Sequence, residues 1–250
     1  MFSFFHSKST IIIDCFTDNY FAYNYAPIKK ASRCLPEWFK KLPNNKRKWK
    51  DFHPDENRNI RNCYGFVELF KRGLIIENHC DSHLTVDNHG IKYNISTSCV
   101  RPPIVHPQHL YKGGFENYYH LKIQLPWMFV EKKGIQFLYT SPTWLLENYY
   151  FDILPGVVEF KVNRTTAANI MFAKPPIGQS YETFIPAGQP LAHLIPLSED
   201  KNIEIKTHLI SNEEYIRMND QGTSIALFGG YNSLARLNKK NEEQSKCPFH

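Results

Sequence analysis

Residues 185–197 read "IPAGQPLAHLIPL". A Pro-Ala-Gly turn runs directly into a short, mostly apolar segment, and an apolar run of that length after a turn is the pattern of a β-strand. Its surroundings repeat the pattern. "LPGVVEF" (154–160), "ANIMFAKP" (168–175) and "IEIKTHLI" (203–210) are further short apolar or alternating runs, separated by Pro and Gly. Upstream, "HLTVDNHGIKYNIS" (83–96) predicts a hairpin turning at Asp87-Asn88-His89-Gly90, and the segment 119–142 predicts a second pair turning at Lys132-Lys133-Gly134. Many short strands with turn signals between them predict a mainly β chain, an antiparallel β-clip or jelly-roll-like domain.

The N-terminal part is less uniform. "TIIIDCFTDNYFAYNY" (10–25) is β-branched and aromatic, predicting one or two strands. Pro36 before Glu37, Trp38 and Phe39 suits a short helical turn. In "CYGFVELFKRGLIIEN" (63–78), Phe66, Leu69 and Phe70 fall at helical spacing, and Gly73 should stop that helix before a strand at Leu74 to Glu77. The expected organisation is one β-rich domain over 1–236, with a small α-containing N-terminal section (10–75), a β core (76–210) and a charged, flexible tail (237–250).

Composition narrows the function classes. The 250 residues include 18 Phe and 14 Tyr, enough aromatic surface for a sizeable core. A net charge of +6 comes from 30 basic and 24 acidic residues, and much of the excess sits in local runs such as "NKRKWK" (45–50). One short basic loop neutralises few phosphates, so nucleic acid is an unlikely partner. The six cysteines are far apart with no CxxC pair, which reads as reduced thiols in a cytoplasmic protein. On that reading the sequons at Asn94 and Asn163 are accidental, and no apolar run approaches the length of a membrane span. A small molecule or a protein is the expected partner, with a homo-oligomer as a further option.

From about Ala31 to Leu197, "CLPEWFKKLP", "RNCYGFVELFKRGLII", "VHPQHL", "KIQLPWMFVEKKGIQFLYTSP", "LPGVVEF" and "AGQPLAHLIPL" together resemble, in order and spacing, an uncharacterised protein family of phages and marine bacteria. That resemblance implies a shared fold and carries no activity. "LPGVVEFKV" and "AGQPLAHLIPL" are also similar to two strands of the dUTPase and dCTP deaminase β-clip superfamily. The likeness implies Glu159 as the water-activating carboxylate, His193 in place of the superfamily's Gln, and Ser141 in "SPTWLLE" as a remnant of its phosphate loop. Val162 stands where the superfamily has an aromatic residue, and Pro142 removes an amide donor from that loop.

Other residues suggest different chemistry. In "ENHCDSH" (77–83), His79 and Asp81 form His-x-Asp, a spacing that points two ligands the same way on a strand. With His208 they would complete a facial triad for Fe(II), and Arg217 would anchor an oxoacid such as 2-oxoglutarate. His106 and Gln108 lie in a Pro-containing loop that could line a pocket, and Cys247 with His250 makes half of a Zn(II) site. Two classes of function follow. One is a protein that binds a small ligand or a partner through a pocket lined by Ser141, Glu159 and His193; the other is a metal-dependent oxygenase or a nucleotide hydrolase.

Overall fold

A computed structural model describes residues 10–43, 60–95, 103–105, 116–145, 151–199 and 202–219. It is mainly β, with fourteen strands in three sheets among those residues. The six-stranded sheet runs β14 (Asn202–Leu209), β1 (Thr10–Thr17), β7 (Tyr118–Val130), β11 (Thr165–Ala173) and β9 (Phe151–Ile153), with β6 (Ile104–Val105) also pairing with β7. The five-stranded sheet is ordered β10 (Gly156–Glu159), β8 (Gln136–Thr140), β13 (Pro190–Pro196), β3 (Leu74–Glu77) and β2 (Lys29–Lys30). A three-stranded sheet places β4 (Ser82–Asp87) between β12 (Tyr181–Ile185) and β5 (Gly90–Ile95).

The quoted apolar segment is the central strand of the five-stranded sheet. Both of its faces are covered: Leu194 joins the main core and His193 points the other way, where Trp144 covers it. Pro190 begins the strand, a place where a missing N–H costs no ladder bond. The inner faces of all three sheets meet in one core, exemplified by Ile11 and Ile13, Leu74 and Ile76, and Leu84 and Val86.

One expected hairpin is corrected. The segments around Lys132-Lys133-Gly134 do not form a hairpin, because β7 and β8 belong to different sheets. Buried Glu131 makes the crossing, its carboxylate accepting from the backbone N–H groups of Lys133, Gly134 and Ile135 at 2.8–2.9 Å. Each of these charge-assisted bonds is stronger than a neutral one. The sheets are mostly antiparallel, as expected, with one parallel pair: β1 runs parallel to β14 along its whole length. A parallel neighbour needs a long connection, and here nearly the whole chain supplies it.

Local sequence accounts for several boundaries. Only the first half of 10–25 is strand: Asn19 accepts a hydrogen bond from the Ala22 N–H at 2.9 Å and starts α1 (Tyr20–Tyr25). Pro126, with no N–H to offer, falls where the β7–β11 register slips between Thr165 and Ala167. A second, smaller cluster lies on the outer face of the five-stranded sheet, where Phe39 of α2 (Glu37–Lys41) and Phe70 of α3 (Tyr64–Lys71) pack with Ala31, Ile75 and Trp144. A last helical segment, α4, covers 212–219. Among the described residues no helix is long and apolar enough to cross a membrane. The tail from 237 onward lies outside the described residues.

Candidate functional site

The solvent face of the three-stranded sheet holds the candidate site. In β4, Leu84 and Val86 point into the core, so His83 and Thr85 must point away from it. Register sets their neighbours. Phe184, His83 and Asn94 form one row across the three strands, and Glu182, Thr85 and Lys92 form the next. The His83 and Phe184 rings lie with centroids 4.5 Å apart, yet Phe184 remains 50% exposed, so much of its surface is open to a ligand. Phe184, His83 and Asn94 of the first row and Glu182 and Thr85 of the second line a shallow groove of about 430 Å³, which also touches Thr183 and Leu84.

The charges around this face are largely settled within it. The Asp87 carboxylate accepts from the His89 and Gly90 N–H groups and pairs with Lys92 at 3.0 Å. The Lys92 hydrogen bond, followed by that from His89, holds its carboxyl below the usual range. Among the described residues lining the groove, Glu182 is the one carboxylate, and no Lys or Arg is present.

The predicted Glu159–His193 pocket is not formed. Glu159 pairs with Gln136 and His193 pairs with Thr140, at opposite ends of β8. Four residues of strand separate those ends by about 13 Å, beyond the reach of one water or one small substrate. His193 is instead a core residue. Its Nε2–H donates to the Arg72 carbonyl at 2.7 Å and its Nδ1 accepts from the Trp144 indole N–H at 3.4 Å, an arrangement that requires the neutral ring. Burial pushes its pKa down accordingly. The Glu159 carboxylate lies beside Gly134 in the turn before β8, and the Ser141 hydroxyl accepts from the Ile153 N–H at 2.8 Å. Ser141 thus fastens β9, a structural role in place of the predicted phosphate contact.

The iron triad is likewise overturned. His79 and Asp81 fall in the link between β3 and β4, where strand alternation does not apply. His79 is buried there, and Asp81 accepts from the Ala187 N–H at 2.8 Å, securing the turn before β13. His208 stands on β14, bonded to Asp14 at 2.9 Å and stacked on Phe16. Among the described residues no three His, Cys, Asp or Glu side chains gather as a metal site would require. His79, Asp81 and His208 therefore do not fit Fe(II) or Zn(II), and no step is routed through a metal. Arg217 is exposed on α4. His106, Gln108, Cys247, His250 and the basic run 45–50 lie outside the described residues.

The sequence reading passed over Phe184 and Glu182. The signal was present in "YETFI" (181–185), where Tyr, Thr and Ile alternate with Glu and Phe between a Gly-containing turn and the Pro-Ala-Gly turn. Comparison with known proteins returned no matching family model, no matching curated protein and no matching solved structure.

Proposed function

We propose that the protein is a ligand-binding module and that the solvent face of the three-stranded sheet is its recognition surface. The observation that carries this reading is the groove beside Phe184 and His83, an exposed aromatic ring flanked by polar side chains from three adjacent strands. Its volume is within the roughly 300–1,000 Å³ common for small-molecule sites. An exposed ring gives a ligand apolar area at little cost in side-chain entropy, while Asn94, Thr85 and Glu182 supply directional hydrogen bonds that select orientation.

A reducing, cytoplasmic setting is part of the same proposal, supported by the free thiols of Cys15, Cys34 and Cys63. Burial, with the Glu77 carboxylate adding to it, pushes the Cys34 thiol up to about 11, so it is protonated and unreactive at neutral pH. We retain kinship with the phage and marine-bacterial family, and the β-clip likeness of the β10 and β13 segments, as proposals about fold that assign no chemistry.

The test is a fragment screen on the full chain, read by NMR shifts. Hits should move the resonances of His83, Asn94 and Phe184. Hits that move Glu159 or His193 instead, with this face silent, would overturn the assignment of the surface.

A further inference from the structure

Resting on that surface assignment, we infer that the ligand is an uncharged saccharide, stacked on Phe184 and hydrogen-bonded along the two cross-strand rows. Charge gives the first argument. A phosphate-bearing ligand would meet the Glu182 carboxylate with no Lys or Arg among the described groove-lining residues to offset it, and nearby Lys92 is already paired with Asp87 at 3.0 Å. Nucleotides and anionic glycans are disfavoured for that reason.

The donor and acceptor inventory gives the second. An organic cation would use Phe184 and Glu182 but would leave the donors of Asn94 and Thr85 without a role, and a single aromatic ring is not the cage that binds such cations tightly. Hydroxyl groups both donate and accept. A sugar can therefore use the Glu182 carboxylate, the Thr85 hydroxyl, the Asn94 amide and the His83 imidazole together. Shape gives the third argument: one face of a pyranose is a patch of C–H groups with slight positive charge, which settles on the negative face of an aromatic ring. Phe184 is half exposed on an open sheet, so a ring can approach it without any element moving. Because the groove is shallow and its lining spans three strands, a chain of sugars suits it better than a single buried unit.

The test is an amide-resolved NMR titration of the full chain with uncharged trisaccharides of glucose, galactose and N-acetylglucosamine, run beside a short oligothymidylate and tetramethylammonium. At least one trisaccharide should shift His83, Thr85, Asn94, Glu182 and Phe184 together. Phe184→Ala should weaken that binding about tenfold, the upper end of what one aromatic contact supplies. Thr85→Ala, which leaves the ring intact, should weaken it by about threefold to tenfold through one lost hydrogen bond. If the oligothymidylate or the ammonium shifts this face and no trisaccharide does, the saccharide is overturned while the surface stands. If no probe moves these residues and the spectrum is that of a folded chain, both fall. Saccharide binding that persists unchanged in both variants would also overturn the inference, since the contacts would then lie elsewhere.

Discussion

His193 and His83 occupy comparable places and have opposite fates. Each sits on the middle strand of its sheet with its ring turned away from the shared core, and each has an aromatic neighbour, Trp144 at 5.6 Å and Phe184 at 4.5 Å. Over His193 lie α3 and the 3-10 turn Thr143–Leu145, which bury the ring and satisfy both of its nitrogens. Nothing among the described residues buries His83, and a groove remains. The difference teaches that a polar or aromatic residue on the outer face of a strand becomes core or site according to whether another element packs over it. Residue type alone does not decide.

The largest expected effect comes from prying the cover loose. Gly73 has φ +82, and a Cβ placed there would be 1.8 Å from the Leu194 carbonyl oxygen, an approach that backbone atoms cannot yield to cheaply. Gly73→Ala should cost on the order of 5 kcal/mol, or prevent folding, as seen by urea denaturation. Gly178→Ala is the control, since φ is +81 there but the space is open; strain alone should cost about 1 kcal/mol. Equal losses at the two positions would mean that contact between the α3 terminus and β13 matters little.

Trp144→Ala comes next, at about 3 kcal/mol from lost burial and an opened cavity. A loss under about 1 kcal/mol would show that the second cluster does not depend on this ring.

The pH dependence of stability tests the covered histidine. His193 is neutral in the fold with its pKa depressed by burial, whereas an unfolded chain takes up the proton near the ordinary 6.5. Its contribution to stability is therefore complete above about 6.5 and is lost as pH falls from there through the lower native value, with a slope of at most about 1.4 kcal/mol per pH unit. Thermal melts from pH 7.5 downward should show this limb, and His193→Phe should flatten it. The smallest stability effects belong to the bare face, where Phe184→Ala and His83→Ala should stay within about 0.5 kcal/mol of the parent in urea. A larger loss would mean that these side chains hold the sheet together, which would argue against a surface kept for a ligand.

Local signals were legible where a single segment contained them. The helical spacing of Phe66 and Phe70, the stop at Gly73 and the strand from Leu74 all stand as read, because periodicity and a positive-φ glycine act within a few residues. The Asp87–Gly90 turn between β4 and β5 stands for the same reason. The candidate sites were not legible. Glu159 and His193 were joined by resemblance, and His79, Asp81 and His208 by residue type, yet each proved to be occupied by a partner or separated by strand register.

By itself the sequence determined that this chain is mainly β, where most of its strands begin and end, and which face of each strand is apolar; these follow from side-chain alternation and turn chemistry. Only the tertiary structure decided that β7 and β8 part into different sheets at Glu131, that β14 returns parallel to β1, and that, among the described residues, one outer face is roofed while another is left open. Strand pairing joins residues nearly two hundred positions apart, and no local pattern encodes which partner, or which roof, a strand will find.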